Sequence, residues 1–505
     1  MDILVEHGKI EEKEYEIVVL GVFENETSDF TSRSLQVVDS SLNGAIRDLL
    51  ESKEFSGKLN TIDMLRTKDV LPTKRILLVG LGKKDSLSLE RLRQVSGKTA
   101  VRTRELNIQE IVTTLQEFRL NSTKATAQAV IEGSILGLYQ FKELKTESQS
   151  DSSSIKSILL LERDMGLLDE LQEGANIGNI IAESTNFARD IANMPANIAT
   201  PSYLSAKAEE LAATFSLKCE VLDESTAREI GMNAFLSVAL GSDQPAKLII
   251  LEYKPSDNEK LDTIVVVGKA ITFDSGGLSL KQKLGMENMK YDKSGGCTVI
   301  GLMRAVSQLQ LPIHLFGLIP ATENLPGGKA IKPGDVIKSL SGTTIEIVNT
   351  DAEGRLVIAD ALTYAKKYTP QLIIDLATLT GACRIALGIY ASALMANKEA
   401  ENFKKLITSA GEKTGERVWE LPLWKEYSTH LRSDFADLKN VGGRDGAAII
   451  AGAFLSKFVE KGTPWIHLDI AGTARSDKNK AYIPKGATGV GVRLIVQFIR
   501  DLIGN

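Results

Sequence analysis

Cysteine is scarce in this chain. Its 505 residues include three cysteines, Cys219, Cys297 and Cys383, which lie far apart and form no CxxC pair. A sparse, odd number of cysteines is typical of a reducing compartment and argues against a disulfide framework. We therefore expect three thiols that are buried or chemically idle.

Histidine is almost as scarce, and this limits the kind of metal site that the chain can build. The four histidines, His7, His314, His430 and His467, show no HExxH or other paired spacing. His314 and His467 lie in apolar, strand-like runs, which favours core histidines with hydrogen-bonded rings. Any metal site must therefore rely on carboxylates.

The chain also has no large charge excess and no long apolar run. The chain has 60 Lys and Arg residues and 65 Asp and Glu residues, which gives a net charge of −5. This charge argues against a broad nucleic-acid-binding surface, though not against a local basic patch. No apolar run reaches the length that spans a membrane. The first residues, Met1–His7, are acidic where a signal peptide would be basic. We expect a cytoplasmic protein with no membrane partner and no indicated nucleic-acid partner.

The N-terminal part has the alternation of an α/β fold. Strand-like patterns fall at about 17–23 and 75–79, and helical patterns at about 40–53, 89–103 and 123–139. The sequence Gly80-Leu81-Gly82-Lys83 lacks the full spacing of a phosphate-binding loop and its hydroxyl residue, so a plain turn is the better interpretation. A serine-rich stretch at 147–154 predicts an exposed loop.

The C-terminal part contains short apolar runs, which are typical of strands buried on both faces of a mostly parallel sheet. These runs are Thr263–Val267, His314–Ile319, Leu372–Leu376 and Trp465–Ile470, with helical patterns between them at about 295–309, 354–367 and 446–460. We predict an α/β fold of two domains, each a mixed or mostly parallel sheet flanked by helices. The predicted limits are 1–165 for the N-terminal domain, 166–193 for a linker helix and 194–505 for the larger C-terminal domain.

Two acidic residues follow the strand-like run that ends at Val348. Asp351 and Glu353 are two positions apart, so in an extended chain their side chains would point the same way. Carboxylates aimed together repel unless they are protonated or bridged by a cation. The alternative is an acidic turn that caps a helix, because acids favour a helix N-terminus. Gly354 would permit a sharp turn, and Arg355 adds a fixed positive charge.

Further charged residues follow the strand Thr263–Val267. They are Lys269, Asp274 and Lys281, and then Asp292, which comes just before a predicted helix. Each loop alone could be a glycine-rich connection with solvated charges. Ligands of such folds bind at the carboxyl ends of strands, however, and all these loops lie at or near such ends. Together they would offer four carboxylates to two divalent ions, and a lysine whose pKa the cations lower could add an amine ligand.

The segment Asn349–Leu356, NTDAEGRL, resembles the signature of the leucyl aminopeptidases, the cytosol aminopeptidase family. Other matching motifs, in the same order and spacing, are Gly268-Lys269, Phe273–Gly277, Met289–Asp292, Asp375–Ala382, Gly442–Arg444 and His467–Gly472. The resemblance runs from about Asn193 to the C-terminus and is weak in the N-terminal part.

This resemblance implies two divalent metal ions, Mn²⁺ or Zn²⁺, in the C-terminal domain. It implies that Lys269, Asp274, Asp292 and Glu353 bind the tighter ion, and that Asp274, Asp351, Glu353 and the main-chain carbonyl of Asp351 bind the more exchangeable one. Lys281 would polarise the substrate carbonyl, and Arg355 would hold a bicarbonate ion that acts as general base. The substrate side-chain pocket would include Met289, Thr378, Gly381 and Ala471.

The resemblance therefore predicts a metalloaminopeptidase that removes N-terminal residues, leucine and other bulky apolar ones preferably, from peptides with a free amine. The metal pair would activate a water molecule for attack. The resemblance also implies a homohexamer. Two other functions stay open from the residues alone: another two-metal hydrolase, such as a phosphoesterase, which a phosphatase assay would identify, and a non-catalytic scaffold with a binding role, which could lose the metal residues.

Overall fold

The structure is a computed structural model that describes residues 1–27, 30–146, 154–255 and 261–504. Of the serine-rich loop predicted at 147–154, all but Ser154 lies outside these residues. Within the described chain, none of the helices combines the length and apolar character needed to cross a membrane. The chain divides into two compact units, Met1–Glu183 with Lys478–Lys485, and Ser184–Asp477 with Gly486–Asn505.

The first unit is built on a six-stranded sheet. Its strands are β1 Asp2–His7, β2 Val18–Phe23, β3 Ile62–Arg66, β4 Arg75–Gly82, β5 Glu110–Thr113 and β6 Ser157–Glu162. They lie in the order β1-β6-β5-β2-β4-β3, and all neighbours are parallel except β3, which is antiparallel to β4. Alternate residues of β2 enter different hydrophobic clusters, Leu20 one and Val19 another, so both faces of the sheet are covered.

Four helices of the first unit flank this sheet. They are α1 Arg33–Ser41, α2 Ala45–Glu51, α3 Leu89–Glu105 and α4 Thr123–Leu138. The single helix predicted at 40–53 is wrong, because the chain turns between α1 and α2 with φ of 55° at Asn43 and 84° at Gly44. The Asp39 carboxylate accepts hydrogen bonds from the Ile46 and Arg47 amides at 3.0 and 3.1 Å. These bonds satisfy amides in the first turn of α2, which therefore begins as a separate helix.

A long helix, α5, spans Leu168–Asn193, and the division between the two units falls inside it, after Glu183. The domain limits predicted from the sequence stay a proposal, in which this helix is the linker.

The second unit contains a larger mixed sheet. Its strands are β7 Lys218–Leu222, β8 Lys247–Tyr253, β9 Thr263–Gly268, β10 Ala270–Asp274, β11 His314–Asn324, β14 Leu372–Ala377, β15 Ser392–Ala396, β16 Val418–Glu420 and β18 Trp465–Asp469. The order is β16-β15-β18-β14-β9-β11-β8-β7, with β10 beside β11. The strands β18, β14, β9 and β11 run parallel, and so do β10 and β11. The short strands outside this sheet are β12 Val336–Lys338, β13 Thr344–Glu346, β17 Leu438–Lys439, β19 Arg475–Ser476 and β20 Gly486–Ala487.

Helices pack around this larger sheet, as the α/β prediction requires. They are α6 Pro201–Phe215, α7 Glu224–Glu229, α8 Asn233–Ala239, α9 Ser294–Gln308, α10 Gly354–Ala365, α11 Gly381–Leu387, α12 Glu401–Thr414, α13 Lys425–Ser428, α14 Ala447–Leu455 and α15 Val492–Leu502. The predicted fold class, two α/β parts with sheets flanked by helices, is confirmed.

The three cysteines are free, and their surroundings make them unreactive. Burial raises the pKa of Cys219 to about 11 and the pKa values of Cys297 and Cys383 to about 12. The thiolate is the reactive form of cysteine, so all three side chains are chemically idle at neutral pH.

Candidate active site

The charged residues singled out from the sequence meet at one edge of the larger sheet. This is the edge where parallel strands end: Gly268 of β9 pairs with Leu376 of β14, and Asp274 of β10 pairs with Asn324 of β11. Strand ends of open α/β sheets are where ligands bind, because the loops that follow them converge there.

Lys269 occupies the one-residue break between β9 and β10, and its ammonium group is buried among acidic residues. Its Nζ atom lies 2.8 Å from Asp292 Oδ2 and 2.8 Å from Glu353 Oε1, and it donates to the carbonyl of Thr378 at 3.1 Å. Burial alone would lower the pKa of Lys269, but Asp292 and Glu353 outweigh it and raise the pKa above its usual value. Coordination of a cation by this amine would therefore require its proton to leave.

Three carboxylates form the centre of the site. Asp274, Asp351 and Glu353 each place an oxygen so that the three oxygens lie within 4.8 Å of one another. Lys281 bridges two of them, with Nζ 2.7 Å from Asp274 Oδ2 and in contact with Asp351 Oδ1. Among the described residues, Glu353 Oε2 is buried without a hydrogen-bond partner. A buried carboxylate oxygen without a donor fits a site built to bind cations.

Two of these carboxyl groups hold their protons unusually tightly. Burial raises the pKa of Asp351 to about 6, against the opposing effect of Lys281 and with a further increase from Asp274. Burial and the Asp274 carboxylate raise the pKa of Glu353 to about 7. Acidic groups pushed toward neutrality by burial and by each other gain most from a bound cation, which removes the repulsion.

The local geometry at Asp351 and Glu353 differs from the extended chain assumed from the sequence. Glu353 has helical backbone angles, φ −79° and ψ −35°, and stands directly before α10. The helix-capping alternative is therefore half correct: Glu353 does begin a helix, but its side chain makes no capping hydrogen bond and turns to the acidic cluster instead.

Hydrogen bonds between loops bring Lys281 and Asp351 together. The Thr350 hydroxyl accepts from the Ser279 amide at 2.8 Å and donates to the Gly276 carbonyl at 2.6 Å. The Ser279 hydroxyl accepts from the Thr350 amide at 3.1 Å in return. These reciprocal bonds clamp the two loops side by side.

The fourth predicted carboxylate, Asp292, joins the cluster through Lys269. It lies at the end of the short 3₁₀ helix Met286–Lys293, and its Oδ1 accepts from the Thr378 hydroxyl at 2.6 Å. Asp292 is not one of the three carboxylates whose oxygens lie within 4.8 Å of one another. Lys269 contacts both Asp292 and Glu353, so its amine stands between this residue and the other acids.

Gly354 makes room for Lys269. A Cβ atom at this position would lie 2.5 Å from Lys269 Cε and 2.6 Å from Lys269 Nζ, closer than real side-chain contacts. Any larger residue after Glu353 would push the amine out of the cluster.

Arg355 is buried in the first turn of α10. Its Nη1 donates to the main-chain carbonyl of Asn440 at 2.6 Å, while its Nε has no hydrogen-bond partner among the described residues. Burial lowers the pKa of Arg355 to about 10, so the guanidinium group stays charged at neutral pH. A buried cation with an unused donor fits the binding of a small anion such as bicarbonate.

Among the four predicted pocket residues, Thr378 is hydrogen-bonded to a residue of the site. Thr378 contacts Asp292, Gly381 begins α11, and Ala471 follows β18. The buried Asp469 carboxylate accepts from the Leu379 and Ala471 amides at 3.2 and 3.0 Å, which holds the two loops together. The fourth, Met289, shares the 3₁₀ helix of Asp292.

Two buried asparagines support the site and were not predicted from the sequence. Asn324, at the end of β11, donates from Nδ2 to Asp274 Oδ1 at 2.9 Å and to the Thr350 carbonyl at 3.0 Å. The Oδ1 atom of Asn440 accepts from the Val348 amide at 2.9 Å, and its Nδ2 donates to the Asn349 carbonyl at 2.7 Å. Asn324 does carry a signal, a polar residue that ends a buried strand, whereas Asn440 lies in irregular chain.

Replacing Asn324 by alanine should weaken metal binding. The side chain orients the Asp274 carboxylate and the loop that carries Asp351, and loss of such a supporting hydrogen bond costs about 10–100-fold in metal affinity. Metal titration followed by peptidase activity measures this. Asn397→Ala is the matched control, because Asn397 also bridges main-chain groups, Thr463 and Trp465, but lies at the opposite end of the sheet. Equal losses in both variants would contradict a role for Asn324 in holding the site.

Comparisons with known proteins agree on one family. The model described as the catalytic domain of the cytosol aminopeptidase family matches residues 186–496, and the model of its N-terminal domain matches residues 19–148. A probable cytosol aminopeptidase of Geotalea uraniireducens is 46% identical over 492 residues, which cover 96% of this chain and 97% of the relative. A protein of the same description from Geobacter sulfurreducens is 46% identical and is covered over 93% of its length, against 92% of this chain.

Solved structures show the same similarity. A variant of tomato leucine aminopeptidase matches with a TM-score of 0.89 and 31% identity, covering 99% of this chain and 96% of that one. A bottromycin maturation enzyme in complex with Mn matches with a TM-score of 0.84 and 31% identity, covering 96% of this chain and 99% of that one.

Proposed function

The chain belongs to the cytosol aminopeptidase family and is a metal-dependent aminopeptidase, a hydrolase; from that premise we propose that it removes N-terminal leucine and other bulky apolar residues from peptides, using two divalent ions and a water nucleophile. The family assignment leaves the phosphoesterase alternative without support. A non-catalytic scaffold could lose the metal residues, whereas every metal residue that the resemblance implies is present in this chain.

One observation carries this proposal: the oxygens of Asp274, Asp351 and Glu353 lie within 4.8 Å of one another at a buried edge of the sheet. Three acids placed so closely need compensating positive charge, and two lysines supply part of it. Carboxylates suit Mn²⁺, and the amine of Lys269 also suits Zn²⁺. The Mn in the related bottromycin maturation enzyme favours Mn²⁺ over Zn²⁺.

Each acid has a place in the proposed metal site. Asp274 and Glu353 would be ligands of both ions. The remaining ligands are Lys269 and Asp292 for the tighter ion, and Asp351, through its side chain and its main-chain carbonyl, for the more exchangeable one. Bound there, the two ions would supply a water molecule of lowered pKa as nucleophile and a Lewis acid for the peptide carbonyl, and would receive the free α-amine of the substrate.

Lys281 and Arg355 each have a role in the proposed reaction. Lys281 is held by Asp274 and Asp351 in the loop that follows β10, where its ammonium group stabilises the oxyanion that develops on the substrate carbonyl. Arg355 would hold a bicarbonate anion through its unused Nε donor, and that anion, when bound, would supply a general base for the reaction.

The preference for bulky apolar side chains follows from the proposed pocket. Met289 is adaptable and unbranched, while Thr378, Gly381 and Ala471 leave space. A Cβ atom added at Gly381 would meet no other atom within 4 Å, which is consistent with an open wall there.

We expect purified protein to hydrolyse leucine anilide and to lose this activity when a chelator removes the metal. Activity should return with Mn²⁺ or Zn²⁺, because the carboxylate cluster has the ligands for both. The rate of release of the aniline, measured before chelation, after chelation and after addition of each metal, tests the proposal.

Three further substrates serve as controls in the same assay. N-acetyl-leucine anilide should not be cleaved, because its amine cannot reach a metal, and an aspartate anilide should be cleaved far more slowly than the leucine compound. A phosphate monoester should give no turnover. Cleavage that survives chelation, or equal cleavage of the acetylated substrate, would contradict the mechanism.

A homohexamer in the cytoplasm completes the proposal. The relatives are named cytosol aminopeptidases, which supports the location. Light scattering of the purified protein measures its oligomeric state. A monomer would refute the hexamer but would leave the proposed peptidase mechanism unaffected.

A further inference from the structure

The first unit contains a cavity of about 850 Å³ that is separate from the acidic cluster. It is an open pocket lined by one face of α3, by the end of α4 with the residues after it, and by residues between 479 and 485. All of its lining residues belong to the first unit. Its volume falls within the range of about 300–1,000 Å³ that is usual for small-molecule sites.

The charge of this cavity contrasts with the charge of the chain. Six basic side chains line it: Lys98, Arg104, Lys142, Lys145, Lys480 and Lys485. Among the described residues that line it, Glu105 is the only acid. The whole chain has a net charge of −5, so a concave surface with a local excess of five positive charges would concentrate anions there.

Close packing fixes the wall of this basic cavity. Gly97 of α3 and Gly137 of α4 approach so closely that a Cβ atom at Gly137 would lie 2.7 Å from Gly97 Cα. A Cβ atom at Gly97 would lie 2.7 Å from Tyr482 Cβ, and the buried Tyr482 donates its hydroxyl to Glu90 at 2.8 Å. The guanidinium group of Arg104 is anchored by a 2.9 Å bond from Nη1 to the Leu138 carbonyl. The wall is therefore preformed, which lowers the cost of binding.

The lining indicates the class of ligand. Lysines bind phosphate groups as point charges, and an arginine adds directed donors. Two half-buried aromatic residues, Tyr139 and Phe141, also line the cavity and offer flat apolar surface to an organic ring. We propose that this basic cavity binds a multiply charged phosphate compound, a nucleoside triphosphate in particular, whose phosphates contact the lysines while its base contacts the aromatic residues.

Isothermal titration calorimetry of the full-length protein with ATP, tripolyphosphate and adenosine tests this. ATP should bind with the highest affinity, tripolyphosphate more weakly, and adenosine not measurably. Joint replacement Lys98→Glu and Lys480→Glu should weaken ATP binding at least about tenfold, because both exposed side chains then repel phosphate. The control pair, Lys83→Glu and Lys84→Glu, changes exposed lysines of the same unit outside the cavity and should leave the affinity unchanged.

Arg104→Gln keeps most of the side chain's volume and should also weaken ATP binding while leaving leucine anilide hydrolysis intact. Several results would overturn the proposal: no ATP binding, binding that survives the Lys98 and Lys480 reversals, or an equal loss in the Lys83 and Lys84 pair. Equal affinities for tripolyphosphate and ATP would refute the role of the aromatic residues. A single-stranded oligonucleotide that binds more than tenfold tighter than ATP at the same lysines would make the cavity part of a nucleic-acid surface instead.

Discussion

Replacing Glu353 by alanine should abolish peptidase activity, with a loss on the order of a thousandfold or more, equivalent to about 4 kcal/mol of transition-state stabilisation. Its Oε1 contacts Lys269 at 2.8 Å, and its Oε2 is buried without a hydrogen-bond donor among the described residues, so both oxygens face the proposed metal site. In the proposed site Glu353 would be a ligand of both ions, so its loss would remove a ligand from each. The value of kcat/KM for leucine anilide at saturating metal measures the effect.

The variant Glu353→Gln distinguishes a loss of activity from a loss of folding stability. Burial raises the pKa of Glu353 to about 7, so ionisation of this side chain is unfavourable in the folded protein, and a neutral amide of the same size should not lower the melting temperature of the metal-free enzyme. Metal affinity and activity should both fall, because an amide is a poorer ligand than a carboxylate. Glu346→Gln, in the strand before the same loop, is the matched control and should keep both. Full activity of Glu353→Gln would contradict the ligand assignment.

Much of the site could be predicted because it depends on topology. Buried apolar runs indicated parallel strands, and parallel strands bring their carboxyl ends to one edge. The residues Lys269, Asp274 and Asp292 therefore could be placed together although Lys269 and Asp292 are 23 positions apart in the chain. The acidic composition of the loops then indicated a cation site.

Backbone detail could not be predicted in the same way. The spacing of Asp351 and Glu353 predicts a shared direction in extended chain, but Glu353 is the N-cap of α10 with helical backbone angles, and the two side chains meet through a turn clamped by Thr350. β10 was missed, because Ala270–Asp274 is short and follows β9 after the single residue Lys269. Such features depend on contacts with distant residues, which local pattern does not contain.

The two histidines in apolar runs show the same limit of prediction from local sequence. His467 is fully buried, with Nδ1 2.5 Å from Asp375 Oδ1, as predicted for a core histidine with a hydrogen-bonded ring, although among the described residues its Nε2 has no hydrogen-bond partner. His314 is only half-buried, because it begins β11 and pairs with Glu252 at 2.8 Å near solvent. Apolar neighbours predicted a strand in both cases, but the depth of each ring depended on its position along that strand.

Replacing Lys281 by methionine should lower kcat by about 10²–10³-fold, the usual effect of removing one donor to a developing oxyanion. KM should change little, since the ammonium group acts on charge that develops only in the transition state. The rate of leucine anilide hydrolysis over a range of substrate concentrations separates the two constants. Lys283→Met is the matched control, because Lys283 is exposed in the same loop and should tolerate the change.

Metal affinity distinguishes this variant from those at Glu353. The Lys281 ammonium group pairs with Asp274 at 2.7 Å and contacts Asp351, both of which are proposed ligands, so it competes with cations for the same oxygens. Its removal should leave metal affinity unchanged or increase it, whereas Glu353→Gln should decrease it. A Lys281→Met enzyme whose activity returns at high metal concentration would mean that the lysine only holds the ligands in place. A slow enzyme with its full complement of metal would instead identify Lys281 as a group that acts on the substrate.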